Sequence, residues 1–428
     1  MAGPTANPNA VGEEVLGELF DRANTVLDKA RANALEPEKE KVLRRFTLKE
    51  ATQLLGIHTD TFYELKQDPT ANIPTGEKGA RRRLFTLAEV HRIQEHLNLL
   101  PRQKLNIRQA VTLTVANFKG GVAKTFTAVS LAQYFAMRGY RTLAIDLDPQ
   151  GSMTTSFGLN PATDVDDWQT VLPYFYGRGI VEREGHTWPD TLRPAIQSTY
   201  WHGLDLVAAN LNLYSGDFAL GIRRDSEREF RFHRPLLDAI DTVRADYDIV
   251  IIDTPPSLSF STSTAICAAD GLLIPAPAAM MDFESARYFL KLTKEVLGAV
   301  RNSYNIVKEF EFLRVLITKF QPGVAVQQKL ANWQRGIFDE FCLNEPMLLS
   351  NAVQNLGPTL QTLYEAGPSY QGSREALKRA LESVNAVNGL IEQEVLAVLK
   401  RWAANPDLAV PAATGRPPAP SSPAERAA

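Results

Sequence analysis

Residues 111–135 read VTLTVANFKGGVAKTFTAVSLAQYF, and the fold follows from this stretch. An apolar, β-branched run from Val111 meets a short Gly-containing loop and then an unbroken helical pattern. Backbone N–H groups of a loop between strand and helix, with the positive end of that helix, wrap phosphate oxygens. The loop and first turn are Lys119, Gly120, Gly121, Val122, Ala123, Lys124, Thr125 and Phe126, the candidate nucleotide-binding residues. Lys124 is placed to reach the β- and γ-phosphates, and the Thr125 hydroxyl to meet Mg²⁺. The strict spacing GxxxxGK[ST] is not kept, because Phe118 and Ala123 occupy its two glycine positions. A Cβ at Ala123 costs roughly 1 kcal/mol if φ there is positive, and is harmless if φ is negative.

Working outward, LAIDLDPQGS brings Asp146 and Asp148, and YDIVIIDTPPS brings Asp253. Each is an apolar strand ending in aspartate at the sheet's C-terminal edge, where ligands of open α/β sheets bind. VTLTVANF, TLAIDLD, LDLVAAN, YDIVIIDTP, GLLIPAP and FLRVLITKF are near-continuous apolar runs separated by helical stretches. That pattern predicts an α/β fold with a mostly parallel sheet buried on both faces and flanked by helices, over residues 106–403. A cation and two carboxylates at three strand ends make one Mg–triphosphate site.

KGGVAKT (119–125), DLDPQGS (146–152) and IIDTPPS (251–257) resemble the deviant Walker A, switch I and Walker B/switch II motifs of the ParA/MinD family of P-loop ATPases. The match extends over most of residues 111–400. LIPAPAAMMDFESA, ITKF, LYEAGPSY and the N-terminal extension are similar to the large plasmid-partition ATPases, including RepA proteins of replicator–partition operons. The resemblance implies a weak ATP hydrolase, taking ATP/ADP and Mg²⁺, stimulated by DNA and a ParB-like centromere-binding partner. It implies that Lys119 reaches across a nucleotide-sandwich homodimer to the partner's phosphates, and that Asp148 positions the attacking water. It also implies that Asp253 holds Mg²⁺ through water, with Asp146 nearby. Lys119, Lys124 and Asp148 are then the catalytic set, and Thr125 and Asp253 the metal set. Lys119 in trans would couple rate to dimerisation, as an arginine finger does.

Residues 41–105 read as a second unit. In TLKEATQLLGIHTDTFYEL (47–65), Ala51, Leu54 and Leu55 share a helical face, and Gly56 makes the turn. Ile57, Phe62 and Leu65 return to the core, with Thr59 or Asp60 capping the second helix; this is helix-turn-helix spacing. GEKGARRRLFTLAEVHRI (76–93) looks like a short wing and another helix, as in MerR-like DNA-binding domains. Candidate DNA contacts are Thr59, Thr61 and Lys66 on the second helix and Arg81, Arg82 and Arg83 at the wing. Arg374, Lys378 and Arg379 on a late helix are further candidates, for sequence-independent DNA binding. Residues 101–110 read as a basic connector.

Charge agrees with this division. The whole chain carries −3, but residues 41–110 hold 13 Lys or Arg against 7 Asp or Glu, leaving −9 for the rest. A basic module in an acidic protein points to one anionic partner. The first 40 residues carry an apolar stripe (Val15, Leu16, Leu19, Phe20, Ala23, Val26, Leu27, Ala30) that calls for a partner surface in this chain or a second subunit, and dimerisation is expected. Residues 404–428 are Pro/Ala/Ser-rich and are expected to be disordered.

Composition excludes other classes. Hydrophobic residues at 44% and charged ones at 22% are those of a globular protein. No apolar run reaches the ~18 residues of a membrane span, and the N-terminus lacks a signal-peptide pattern. Cys267 and Cys342 cannot build a disulfide framework, and the six histidines show no metal-ligand spacing. A cytoplasmic, nucleoid-associated protein is expected. Two rivals stay open: a MinD-like positioning ATPase, for which the Pro-rich tail is unsuited as a membrane helix, and a nucleotide-switched transcriptional regulator with little turnover.

Overall fold

The structure, a computed structural model, describes residues 21–23, 25, 41–67, 71–79, 82–357, 360–367, 370–405 and 408. Of the N-terminal stripe, only residues 21–23 and 25 are among these, in helical conformation; Arg81 and nearly all of the C-terminal tail lie outside them.

The chain first builds a small antiparallel sheet, β1 (Phe46–Thr47), β2 (Glu77–Lys78) and β3 (Arg83–Phe85), in the order β1-β3-β2. Helix Leu48–Leu55 starts with a capping box between Thr47 and Glu50 and stops at Gly56, whose φ of +68° only glycine adopts without cost. The next helix begins at Thr59, so Thr59 and Asp60 stand inside its first turn. Nδ1 of His58 instead meets the Asp60 amide, at 3.5 Å, which corrects the expected cap. Ala51, Leu55, Phe62, Phe85, Val90 and Ile93 form the core of this unit, with the Phe62 and Phe85 rings edge-on at 5.5 Å. The hairpin β2–β3 is the wing. Arg82 at its tip is exposed, but Arg83 Nη1 donates to the carbonyls of Thr75 (2.9 Å) and Gly76 (3.3 Å), so Arg83 fastens the wing. The basic connector is also partly spent: Pro101–Leu105 is helical, and Arg102 pairs with buried Asp248 at 2.7 Å.

The second sheet contains β4 (Val111–Val115), β5 (Thr142–Asp146), β6 (Gln197–Ser198), β7 (Leu204–Val207), β8 (Ile249–Asp253), β9 (Gly271–Pro277) and β10 (Phe312–Thr318), in the order β10-β9-β4-β8-β5-β7-β6. All neighbours run parallel except β6 against β7. The six apolar runs read from the sequence are the six parallel strands; two-residue β6 is too short to leave a periodic signal. Alternate residues of β8 face opposite layers. Ile249 and Ile251 pack with helices Lys124–Met137 and Arg374–Ala404, and Val250 and Ile252 with helices Leu172–Tyr176, Leu213–Ser226 and Pro235–Asp241. Val115 and Asp146 both pair with Asp253, which sets the ends of β4, β5 and β8 at one level.

The two units share packing. Phe46 and Leu87 belong to the same core as Phe135, Tyr140 and Trp201. Beside them the buried His91 ring lies 5.1 Å from that of His202, with Nε2 unpartnered. Burial and the neighbouring His202 push the His91 pKa down to about 4, although the Ala136 and Met137 carbonyls favour its proton. The folded chain therefore holds His91 neutral, while the unfolded chain takes up a proton below about 6.5. This contribution is complete above pH 6.5 and is lost as pH falls toward 4, on the order of 3 kcal/mol. Urea titrations across pH 4–7 should show His91→Phe with a correspondingly shallower acid-side loss than the wild type. Equal slopes would remove His91 from the account.

Candidate functional site

The loop after β4 is pinned from both sides. Asn117 Nδ2 donates to the Pro275 carbonyl (2.8 Å), its Oδ1 accepts from the Lys119 amide (3.1 Å), and Thr318 Oγ1 donates to the Val122 carbonyl (2.9 Å). The ends of β9 and β10 thus hold the loop open over the sheet edge. Gly121 and Ala123 have φ of +74° and +72°. Of the two conformations open to Ala123, the strained one is present, and helix Lys124–Met137 starts directly after it. Gly120 and Gly121 are exposed, while Thr125 and Phe126 are half-buried on the first helical turn. Lys124 is buried, and its Nζ donates to the Lys119 carbonyl at 3.1 Å. Burial lowers its pKa, opposed by the charges of Asp253 and Asp148.

The three aspartates differ in what their oxygens do. Asp253, wholly buried at the end of β8, leaves both carboxylate oxygens without a hydrogen-bond partner. Burial and the Asp146 charge push its pKa well up, and the Thr125 hydroxyl and Lys124 ammonium pull it back. Leaving a buried carboxylate unmatched is costly; the Asp253 carboxylate and the Thr125 hydroxyl are hard oxygen donors that would suit a divalent cation. Asp146 is already committed: Oδ2 accepts from the Thr154 amide (2.9 Å) and hydroxyl (2.8 Å), and Oδ1 from the Asp148 amide (3.1 Å). It fastens the turn after β5 and stands beside Asp253, with which it pairs in register. Asp148 is also buried, with Oδ1 accepting from the Gln150 amide at 3.0 Å. Among the described residues, no group of three or more His, Cys, Asp or Glu is arranged to hold a metal, as expected where most ligands would be water and phosphate.

Lys119 lies on the same edge but is paired within the chain, its Nζ 2.5 Å from Oδ1 of Asp282 in the first turn of helix Met280–Tyr304. Asp282 was not legible as a site residue, since an acid in a first helical turn is common for dipole reasons alone. Asn117 and Thr318 were also missed, because their carbonyl partners Pro275 and Val122 are distant in sequence, and Thr154 because it meets Asp146 only through the turn after β5.

The DNA candidates fall on two elements. Thr61 and Lys66 are exposed and Thr59 half-exposed on helix Thr59–Gln67, in the same small unit as Arg82. Arg374, Lys378 and Arg379 are exposed at the start of helix Arg374–Ala404. Arg374 donates to the Gly367 carbonyl (2.8 Å) and Lys378 lies 3.7 Å from Glu382, so two of the three are already engaged.

The geometry at residue 123 gives an unusual sign. Ala123→Gly removes a Cβ from a left-handed position and should stabilise the chain by up to about 1 kcal/mol, where the same change in a helix interior destabilises it. A thermal melt of the variant below that of the wild type would contradict the strained conformation.

Comparison with known proteins agrees with the fold and the site. An AAA-domain family profile matches residues 110–306, spanning the loop and all three aspartates. A replication protein A of Rhizobium rhizogenes is 34% identical over 408 residues, covering 93% of this chain and 97% of its own. Protein SopA of Escherichia coli K12 is 28% identical over 361 residues, covering 82% and 88%. A solved partition protein superposes with a TM-score of 0.61 at 18% identity, over 89% of this chain and 98% of its own, and so shares the fold. With its pinned phosphate loop, its three aspartates and a relative similar over nearly the whole length, the chain belongs to the ParA/MinD-like family of P-loop ATPases.

Proposed function

We propose that the chain is a partition ATPase that moves a plasmid or similar low-copy replicon. The observation that carries this reading is the edge formed by β4, β5 and β8, where buried Lys124, the Thr125 hydroxyl and the unpartnered Asp253 carboxylate meet around a pinned phosphate loop. ATP phosphates would lie on the amides of Gly120 to Thr125, with Lys124 neutralising charge and Phe126 in the first turn beyond. Mg²⁺, held by Thr125 and through water by Asp253, would offset the charge that develops on the phosphate oxygens. Asp148, buried and bonded through Oδ1 to the Gln150 amide, would orient the attacking water. Lys119 would leave Asp282 and reach the second copy's phosphates, making hydrolysis depend on a homodimer.

The ATP-bound dimer would bind DNA without regard to sequence, with Arg379 and its neighbours as candidates, and a ParB-like partner would stimulate hydrolysis and release it. The helix-turn-helix unit, through Thr59, Thr61, Lys66 and the wing arginines, would add operator binding and autorepression. The domain limits that go with this are 1–40 for a dimerisation helix, 41–105 for DNA binding, 106–403 for the ATPase and 404–428 for a tail. The chain has no helix long and apolar enough to cross a membrane among its described residues.

Three experiments test this. Lys124→Ala should weaken Mg–ATP binding beyond detection in isothermal titration. Asp148→Ala should bind ATP within a fewfold of wild type yet turn over about 100-fold more slowly with DNA and partner; equal turnover would release Asp148 from its role and leave a nucleotide switch as the better reading. For the DNA unit, Arg82→Ala should lower the salt slope of binding to the chain's own upstream DNA by about one unit, leaving ATP-dependent binding to unrelated DNA unchanged. Loss of both would mean a single DNA surface.

A further inference from the structure

Lys41, at the entry to the helix-turn-helix unit, has its side chain buried against the loops and short helices over the ATPase sheet. Its Nζ donates to the Ser156 carbonyl at 2.6 Å, lies 3.1 Å from Oε2 of Glu365, and stands 5.1 Å over the Tyr200 ring. Both side chains of the ion pair are at most a tenth exposed. Ser156 closes helix Ser152–Ser156, the helix that follows Asp148 in the chain and whose Thr154 is tied to Asp146. A Cβ on Gly158 would come within 3.3 Å of Lys41 Cβ, so the linker passes directly over the turn that ends this helix. Glu365 is fixed from the other side by the Thr362 amide (2.7 Å), Trp201 Nε1 (3.3 Å) and the Tyr200 hydroxyl.

The ammonium therefore joins two walls of one cavity. A space of about 230 Å³ opens from Thr125 and Phe126, with Ser152 and Ser156 on one wall and Gln361 and Thr362 on another. Lys41 bonds the end of the first wall and the carboxylate that caps the second. Three residues on, Arg44 donates to the Tyr364 carbonyl (3.2 Å) and to Glu50 (2.9 Å), and Glu50 accepts from the Thr47 amide (2.8 Å) at the cap of the first helix of the DNA unit. A continuous set of polar contacts thus runs from the segment bearing Asp148 to the start of the helix-turn-helix.

We propose that Lys41 is a latch between the segment Asp146–Ser156 and the N-terminal unit, so that rearrangement of that segment around the γ-phosphate loosens or tightens the docking of the helix-turn-helix, and docking biases the segment in return. The proposal rests on the reading of this segment as the switch that senses the nucleotide. The bridge has a narrow tolerance: one ammonium can serve both acceptors only while they stay within hydrogen-bond reach of it. A shift of the Ser156 carbonyl by an ångström or two costs one of the two bonds, and the buried charge must follow or be left unmatched. Because the coupling is a free energy between two sites, it acts equally in both directions.

The test is amide hydrogen exchange of the full-length protein with no nucleotide, with Mg–ADP and with a non-hydrolysable Mg–ATP analogue. Wild type should show exchange in residues 41–57 that differs at least twofold between the two nucleotides. Lys41→Met keeps the apolar stem and should bind both nucleotides within about threefold of wild type, but lose the difference. Tyr200→Phe, which removes the hydroxyl that also donates toward the Ser156 carbonyl and Glu365 while leaving the ammonium bridge, should retain it. If Lys41→Met does not fold, Lys41→Gln, able to serve one acceptor, replaces it and should also lose the difference. A retained difference in the Lys41 variant overturns the latch, as does its equal loss in Tyr200→Phe, which would reduce the effect to general loosening. Wild type that binds nucleotide without any response in 41–57 also overturns it. Wild type that binds no nucleotide overturns the proposed function instead.

Discussion

Everything at the functional edge depends on a carboxylate that the fold buries and does not satisfy. Asp253 sits at the end of a strand that is closed in by neighbours on both sides and by helices on both faces, and neither of its oxygens is given a partner. The sheet could tolerate an apolar residue there at lower cost. What keeps the arrangement coherent is register: β4, β5 and β8 end at the same level, so the phosphate loop, the Asp146 fastening and the Asp253 carboxylate lie side by side. Lys124 then enters between them as a buried cation, held by the Lys119 carbonyl. The surrounding structure consists mainly of supports for this edge, among them Asn117 and Thr318 beneath the loop and Thr154 beneath the turn after β5.

The sheet and the phosphate loop were legible because both are written in local sequence. Parallel strands covered on two faces give uninterrupted apolar runs, and a strand–loop–helix junction with two lysines, two glycines and a threonine has few other uses. The division of labour among the aspartates was not legible. Asp146 and Asp148 stand two positions apart in DLD and are both buried, yet one is consumed by Thr154 and the other accepts only from the Gln150 amide two positions on, a distinction made by a residue eight positions from Asp146. Asp282 escaped notice for a related reason, since it meets Lys119 only once β9 has been laid beside β4. The sign of φ at Ala123 was likewise a question of backbone geometry that composition could pose and not answer.

The small N-terminal unit illustrates the same limit. Its helices and turn came from apolar spacing and Gly56, both local. The fates of Arg83 and Arg102 did not, because a basic residue in a sequence looks the same whether it faces solvent or ties a hairpin and a connector to nearby carbonyls and a buried aspartate. The charge surplus of this region therefore overstates what is free for an anionic partner. Its core is also not wholly its own, as Phe46 and Leu87 pack with the ATPase layer.

The left-handed Ala123 and the unmatched Asp253 have a consequence for the lifetime of the chain. Both are local costs of the folded chain, and both lie at the edge proposed to hold the nucleotide. A ligand that binds only the folded form adds stability as its concentration exceeds its dissociation constant, about 2.7 kcal/mol at a hundredfold excess. Such a gain lowers the unfolded fraction by about two orders of magnitude, and with it the supply of open chain to proteases. A chain that holds a nucleotide at this edge would then outlast one that does not, with no change in synthesis.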